Sequence, residues 1–86
     1  MDSNTTLYSV DEFDKALVEA ILQEVCLILK EKGYDPVNQL VGYLMSGDPG
    51  YISSYKDARK KVTSIDRSKI LEFLLRKSLG EENWDT

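Results

Sequence analysis

No histidine occurs among the 86 residues, and cysteine occurs once. Without histidine, neither a Ser-His-Asp nor a Cys-His nucleophilic site can be assembled, and a His-containing zinc site is excluded as well. One cysteine forms no internal disulfide, which points to the reducing cytoplasm. Cys26, set within VCLIL in mid-helix, is expected to be a buried, inert thiol. Proline occurs twice and glycine five times, far below collagen-like or low-complexity levels. Long apolar runs are missing too. The longest, Val25 to Leu29, covers five residues, against the roughly 18 that a membrane span needs. The first ten residues carry no Lys or Arg and no apolar stretch, so no signal peptide is expected. Neither the P-loop pattern nor GxGxxG occurs, so no phosphate-cradling loop is foreseen.

What is present describes one small globular domain: 42% hydrophobic residues, 30% charged residues and a net charge of −4. A chain of this length buries only about 60–65% of the surface that its unfolded form exposes. The charge is unevenly placed. Residues 1–55 carry a net −6, residues 56–77 a net +5 and residues 78–86 a net −3. A basic segment in an acidic chain either meets phosphate or pairs with its own acidic half.

Apolar periodicity predicts an all-α fold, a compact small bundle of four main helices plus a short helical turn. The first helix is expected from Asp11 to Lys32, with Gly33 as its left-handed stop. Asp35-Pro36 opens a second helix to about Ser46, with Val37, Leu40, Val41, Leu44 and Met45 as its apolar face. SGDPGYI reads as one irregular turn through Ile52. Ser54, with Asp57 three residues on, reads as a capping-box-like start to a third helix ending near Val62 or Ser64. Asp66 caps a fourth, closed by Gly80. Residues 1–10 are read as a disordered, flexible N-terminal tail, 11–80 as a single domain and 81–86 as a frayed end. The first helix is apolar around most of its girth, and together with the apolar last helix this predicts a homodimer.

The candidate site residues follow from chemistry. Catalytic, metal and cofactor sites are all expected to be absent, because paired acids such as Asp11/Asp14 and Glu81/Glu82 sit at helix or chain ends, where they complement dipoles. Four of the five tyrosines fall between Tyr34 and Tyr55. Of these, Tyr34 and Tyr51 flank loops and are candidates for partner contact, together with Asp48 in the turn. Thr5 and Thr6 lie in the tail, where phosphorylation would add about −1.5 to −2 charge. Arg59, Lys60 and Lys61 are the candidate cations to receive that phosphate. The alternative reading, a small nucleic-acid-binding regulator using segment 56–77, conflicts with a pI near 4.7 and with the lack of a second basic or amide-rich helix.

The stretch KGYDPVNQLVGYLMSGDPGYISSYKDAR, Lys32 to Arg59, resembles the signature of the IreB/ReoM family of small cytosolic regulators of Gram-positive bacteria. Lys32, Gly33, Tyr34, Pro36, Asn38, Gln39, Val41, Gly42, Tyr43, Ser46, Gly47, Asp48, Pro49, Tyr51, Ile52, Ala58 and Arg59 all fit that pattern, while Asp35 and Gly50 depart from it. The resemblance implies a non-enzymatic, all-α homodimer phosphorylated on an N-terminal threonine. The enzymes implied are a membrane-bound PASTA-domain Ser/Thr kinase and an opposing PP2C-type phosphatase. It further implies control of cell-envelope synthesis and antibiotic tolerance, in some members through ClpC/ClpP degradation of UDP-N-acetylglucosamine enolpyruvyl transferase. Thr6-Leu7-Tyr8 best matches the phosphorylated string of that family, with Thr5 as its neighbour.

Overall fold

The 29 residues Ser3–Glu31 form one continuous helix, α1, in a computed structural model that describes the backbone of residues 3–80 and the side chains from Lys15 to Gly80. After α1 come α2 (Pro36–Ser46), two 3-10 turns (Pro49–Tyr51 and Tyr55–Asp57), α3 (Ala58–Thr63) and α4 (Arg67–Ser78). Every described element is helical, and α1 packs against each of the other three helices.

The end of α1 is set by local chemistry. Gly33 adopts φ +92, its N–H donates to the Lys30 carbonyl, and the Tyr34 N–H reaches back to Leu29. This is the doubly bonded Schellman arrangement, which needs a left-handed residue that glycine supplies without steric cost. The start of α1 differs from the expectation. The helix begins at Ser3 instead of Asp11, and the backbone shows no break between residues 10 and 11. The physical reason is that no proline or glycine occurs before Gly33, so nothing in the chain forces the helix to stop. Asp11, Glu12 and Asp14 consequently lie well inside the helix and not in its first turn. The expected frayed end, 81–86, lies outside the described residues.

Helix α2 begins and ends as its caps dictate. The Asp35 carboxylate accepts from the N–H groups of Val37 (3.0 Å) and Asn38 (3.4 Å), and Pro36 follows at the first helical position. Its core face is narrower than the apolar pattern predicts. Tyr43 turns inward while Val37, Val41 and Met45 are 66%, 51% and 81% exposed. The apolar arc on α2 is wider than one contact face, so its Tyr43/Leu40/Leu44 side meets the core and its other edge remains outside.

The start of α3 also departs from the expected capping box. The Ser54 side chain makes no capping hydrogen bond, and only its carbonyl accepts from the Asp57 N–H. Instead the Ser53 hydroxyl accepts from the Tyr55 N–H at 3.1 Å, and the chain passes through Lys56 (φ 47) and Asp57 (φ 64) before α3 begins at Ala58. Two successive non-glycine residues in the left-handed region store strain, of order 1–2 kcal/mol each. Asp66 stands at the N-cap of α4 but caps with its carbonyl alone, which accepts from Lys69 and Ile70.

The core is a single cluster. Val18, Leu22, Val25, Ile28 and Leu29 of α1 meet Tyr43, Ile52, Ala58, Val62, Ile65, Ile70 and Phe73. Burying a large aliphatic or aromatic side chain of this kind stabilises by about 1.5–3 kcal/mol. Among the described residues no polar or charged side chain is buried. The most exposed large apolar residues along α4 and its C-cap are Leu75 and the C-cap residue Leu79, at 60% and 71%. With Leu71 at 44% they form a stripe four residues apart, on the side away from Ile70 and Phe73.

Candidate partner-contact site

The turn after α2 is held from several directions. The Ser46 hydroxyl donates to the Gly42 carbonyl (2.7 Å) and accepts from the Asp48 N–H (2.9 Å). The Asp48 carboxylate accepts in turn from the Gly50 N–H at 2.9 Å, which caps the 3-10 turn Pro49–Tyr51. Arg67 at the head of α4 donates to the Leu44 carbonyl at 2.9 Å, tying the end of α2 to α4. The Tyr51 ring then lies directly on the α-carbon of Gly42, so close that a Cβ there would overlap it. Tyr51 remains 52% exposed. A fixed aromatic is thereby presented over the middle of α2, where Val37, Val41 and Met45 emerge. Tyr34, at 42% exposure, immediately precedes the Asp35 cap. Three of the expected contact residues, Tyr34, Asp48 and Tyr51, therefore belong to α2 and its two ends. Asp48 serves there as a cap.

The basic trio is not an open patch. Arg59 is committed to the fold: its Nε donates to the Ile52 carbonyl at 2.9 Å and its N–H to that of Ser53 at 3.1 Å. Lys61 pairs with Glu24 of α1 at 3.4 Å. Only Lys60 of the three stands exposed with no partner among the described residues. The same holds across the wider basic segment. Lys56 pairs with Glu31, Arg76 with Glu72, Lys77 with Glu19, and Arg67 donates to Leu44. Most of the cations at 56–77 thus answer the molecule's own acids and carbonyls, which leaves little of the exposed positive face that a nucleic acid would need.

The Lys56–Glu31 pair sits where the strained backbone passes. Lys56 contacts both carboxylate oxygens, at 3.2 and 2.9 Å, and the Tyr55 hydroxyl donates to the same group at 3.4 Å. Lys32 lies over the Tyr55 ring at 5.0 Å. The hydrogen bond and charge of Lys56 hold the Glu31 carboxyl below the usual carboxylate range, and Glu31 raises the Lys56 ammonium in return. The sequence shows these charges but not their pairing, because the partners lie 25 residues apart.

The backbone of Thr5 and Thr6 lies in the opening turns of α1, while their side chains fall outside the described ones. Along a continuous helix the 18 residues from Thr6 to Glu24, where Lys61 pairs, span about 27 Å. The structure therefore keeps the threonines and the Arg59–Lys61 trio apart within one chain.

Sequence reading missed two further features. The Gln39 side chain accepts from the Ser53 N–H at 2.9 Å, a link that only the folded turn reveals. Cys26 is half-buried instead of buried, and lines an open groove between α1 and α4. Its neighbours in VCLIL explain this: Val25, Ile28 and Leu29 take the core face, while Leu27 is 70% exposed and Cys26 lies at the edge. Among the described residues no helix is long and apolar enough to cross a membrane.

Among the described residues the outward features of this small helical domain are apolar stripes on α2 and along the last helix, the Tyr51 ring seated on Gly42, and charges paired within the chain. Residues 3–80 match the model of the IreB regulatory phosphoprotein family, and the chain belongs to that family. It is therefore a regulatory phosphoprotein by kinship, and the IreB/ReoM resemblance of the Lys32–Arg59 stretch extends over nearly the whole sequence.

Proposed function

We propose that the chain is a non-enzymatic cytoplasmic regulator switched by phosphorylation of Thr6, with Thr5 as the neighbouring acceptor. The observation that carries this reading is the family match over residues 3–80. The kinase is a PASTA-domain Ser/Thr kinase, and a PP2C-type phosphatase reverses it. The regulated process is peptidoglycan synthesis and with it antibiotic tolerance. The regulator acts as an adaptor for ClpC/ClpP degradation of UDP-N-acetylglucosamine enolpyruvyl transferase.

The placement of the threonines supports a local effect. Unpaired N–H groups and the positive end of the helix dipole favour negative charge in the first turn of α1. A phosphate there adds charge without disturbing the core, which begins at Val18. The switch accordingly acts on a partner, because the Arg59–Lys61 trio lies too far along α1 to receive the phosphate of its own chain unless the first turns open. Helix ends fray readily enough for a kinase to seize an extended segment. The partner surface comprises Tyr34, Tyr51, Asp48 and the exposed stripe of α2, with Lys60 as an exposed cation. The protein works as a homodimer, joined through the Leu71–Leu75–Leu79 stripe of α4, whose outward leucines suit self-complementary pairing about a two-fold axis.

The test is a Thr5→Ala, Thr6→Ala double variant incubated with the kinase. It should keep the wild-type melting temperature and oligomeric mass and take up no phosphate. Kinase-dependent phosphate on Ser53, Ser54 or Thr63 of that variant would remove the switch from the N-terminal segment.

A further inference from the structure

The groove between α1 and α4 is about 460 Å³ in volume. Leu22, Cys26 and Leu27 form one wall, and Phe73 and Leu74 form the other. Glu19 and Lys30 mark its two ends along α1, and the 11 residues between those positions rise about 16 Å. That is about three turns, the length over which an amphipathic helix sets anchors at i, i+3 or i+4, and i+7 into an apolar groove. The charges at the two ends differ. At one, Glu19 is already bonded to Lys77 at 3.3 Å. At the other, Lys30 is exposed and has no partner among the described residues. The complement of such a surface is an apolar face flanked by carboxylates.

Among the residues with described side chains, no helix of a second copy offers that complement. Helix α2 carries no charged residue, α3 and α4 are net basic, and the apolar side of α1 is spent on its own core. We propose that the groove is a docking site for an acidic amphipathic helix of a partner protein. Its apolar anchors pack on Leu22, Leu27, Phe73 and Leu74, and one of its carboxylates pairs with Lys30. None of the groove's lining residues belongs to the α2 surface or to the outward leucine stripe assigned to the second copy. The regulator thereby has a further contact surface, which a partner can hold in either phosphorylation state.

Cys26 is the sole cysteine, so its alkylation by iodoacetamide reports whether the groove is covered. The probe is a stapled helical peptide of about 14 residues, roughly four turns, with leucines along one face and glutamates beside them. A counterpart carries lysines in place of the glutamates. The acidic peptide should bind the full chain and slow Cys26 alkylation several-fold, and the basic peptide should do neither. Lys30→Glu should weaken the acidic peptide several-fold and improve the basic one. Lys60→Glu, at an exposed cation outside the groove, should leave both unchanged. Leu27→Glu, at a position 70% exposed and so compatible with folding, should abolish binding while the helical circular dichroism is unchanged. Three results overturn the proposal. The first is an acidic peptide that does not bind, or binds no better than the basic one. The second is a charge preference that Lys60→Glu shifts as much as Lys30→Glu. The third is Cys26 alkylation that slows with protein concentration and not with peptide, which assigns the groove to a second copy.

Discussion

A methyl group at position 42 would occupy the space of the Tyr51 ring, and this single overlap explains why a helix-weakening glycine stands inside α2. Glycine costs about 1 kcal/mol relative to alanine in a helix interior, whereas forcing a side chain out of a packed position costs about 1–3 kcal/mol. Gly42→Ala should therefore destabilise the protein by about 1 kcal/mol in urea unfolding. In a Tyr51→Ala background the same change should instead stabilise, by up to about 1 kcal/mol, because only the helix propensity remains. Destabilisation of equal size in both backgrounds would refute the contact. Sequence reading noticed that Gly42 could admit another backbone; the visitor is a tyrosine ring from the next turn. The Glu31–Lys56 pair makes a pH prediction of definite sign. Glu31 is held below its ordinary pKa, so its contribution is present at neutral pH and is lost as pH falls through that depressed value. Lys56 is raised, so its contribution is present below its ordinary value and is lost as pH rises through the raised one. Both side chains are about half exposed, at 55% and 52%, which keeps the effect small. Glu31→Gln should lower the melting temperature slightly at neutral pH, and that difference should vanish in acid once carboxylates protonate. A difference that persists there would assign the loss to packing on Tyr55 instead of charge.

At the scale of elements, legibility tracked whether a boundary has a chemical cause written in the chain. The end of α1 at Gly33 and the start of α2 at Asp35-Pro36 were readable, because a left-handed stop and a cap with proline leave few alternatives. The start of α1 was not, since the 32 residues before Gly33 hold no proline or glycine to end a helix and apolar periodicity only begins to register near Phe13. The third helix misled for another reason. Ser54 and Asp57 satisfy a capping-box spacing, yet Ser53 and the Gln39 and Arg59 bonds impose a left-handed path instead. On α2 and α4 periodicity identified apolar residues but could not say which half of a wide arc meets the core. The exposed halves are the places to expect partners. Leu75→Glu, on the outward stripe of α4, should leave the helical signal intact and shift sedimentation from the proposed dimer to the 9.8 kDa single chain. A variant that sediments like the wild type would place the dimer contact elsewhere, the stripe Val37–Val41–Met45 being the other apolar surface of the same spacing.

For the whole molecule, the division of charge visible in the sequence resolves into internal pairing, with the basic half laid along the acidic α1 through Lys56–Glu31, Lys61–Glu24 and Lys77–Glu19. Sequence alone shows the two halves but not that they face one another, which is why Arg59, Lys60 and Lys61 read as an open receiver when, among the described residues, Arg59 and Lys61 have partners and Lys60 has none. The candidate site was legible in its tyrosines and in Asp48, whose loop positions follow from the two Asp-Pro starts. Its geometry was not, because the Tyr51–Gly42 contact and the Arg67–Leu44 bond join segments that only tertiary structure brings together. A phosphate on the first turns of α1 adds charge far from these contacts, so the fold should act as a rigid carrier for a regulated end. Intact-mass and peptide-mapping mass spectrometry of the protein from its native cells, with and without the PASTA-domain kinase, tests that central claim most directly. The account predicts a single kinase-dependent phosphate on Thr6 or Thr5, absent when the kinase gene is deleted. A protein that carries no kinase-dependent phosphate, or carries it within residues 15–80, would contradict it.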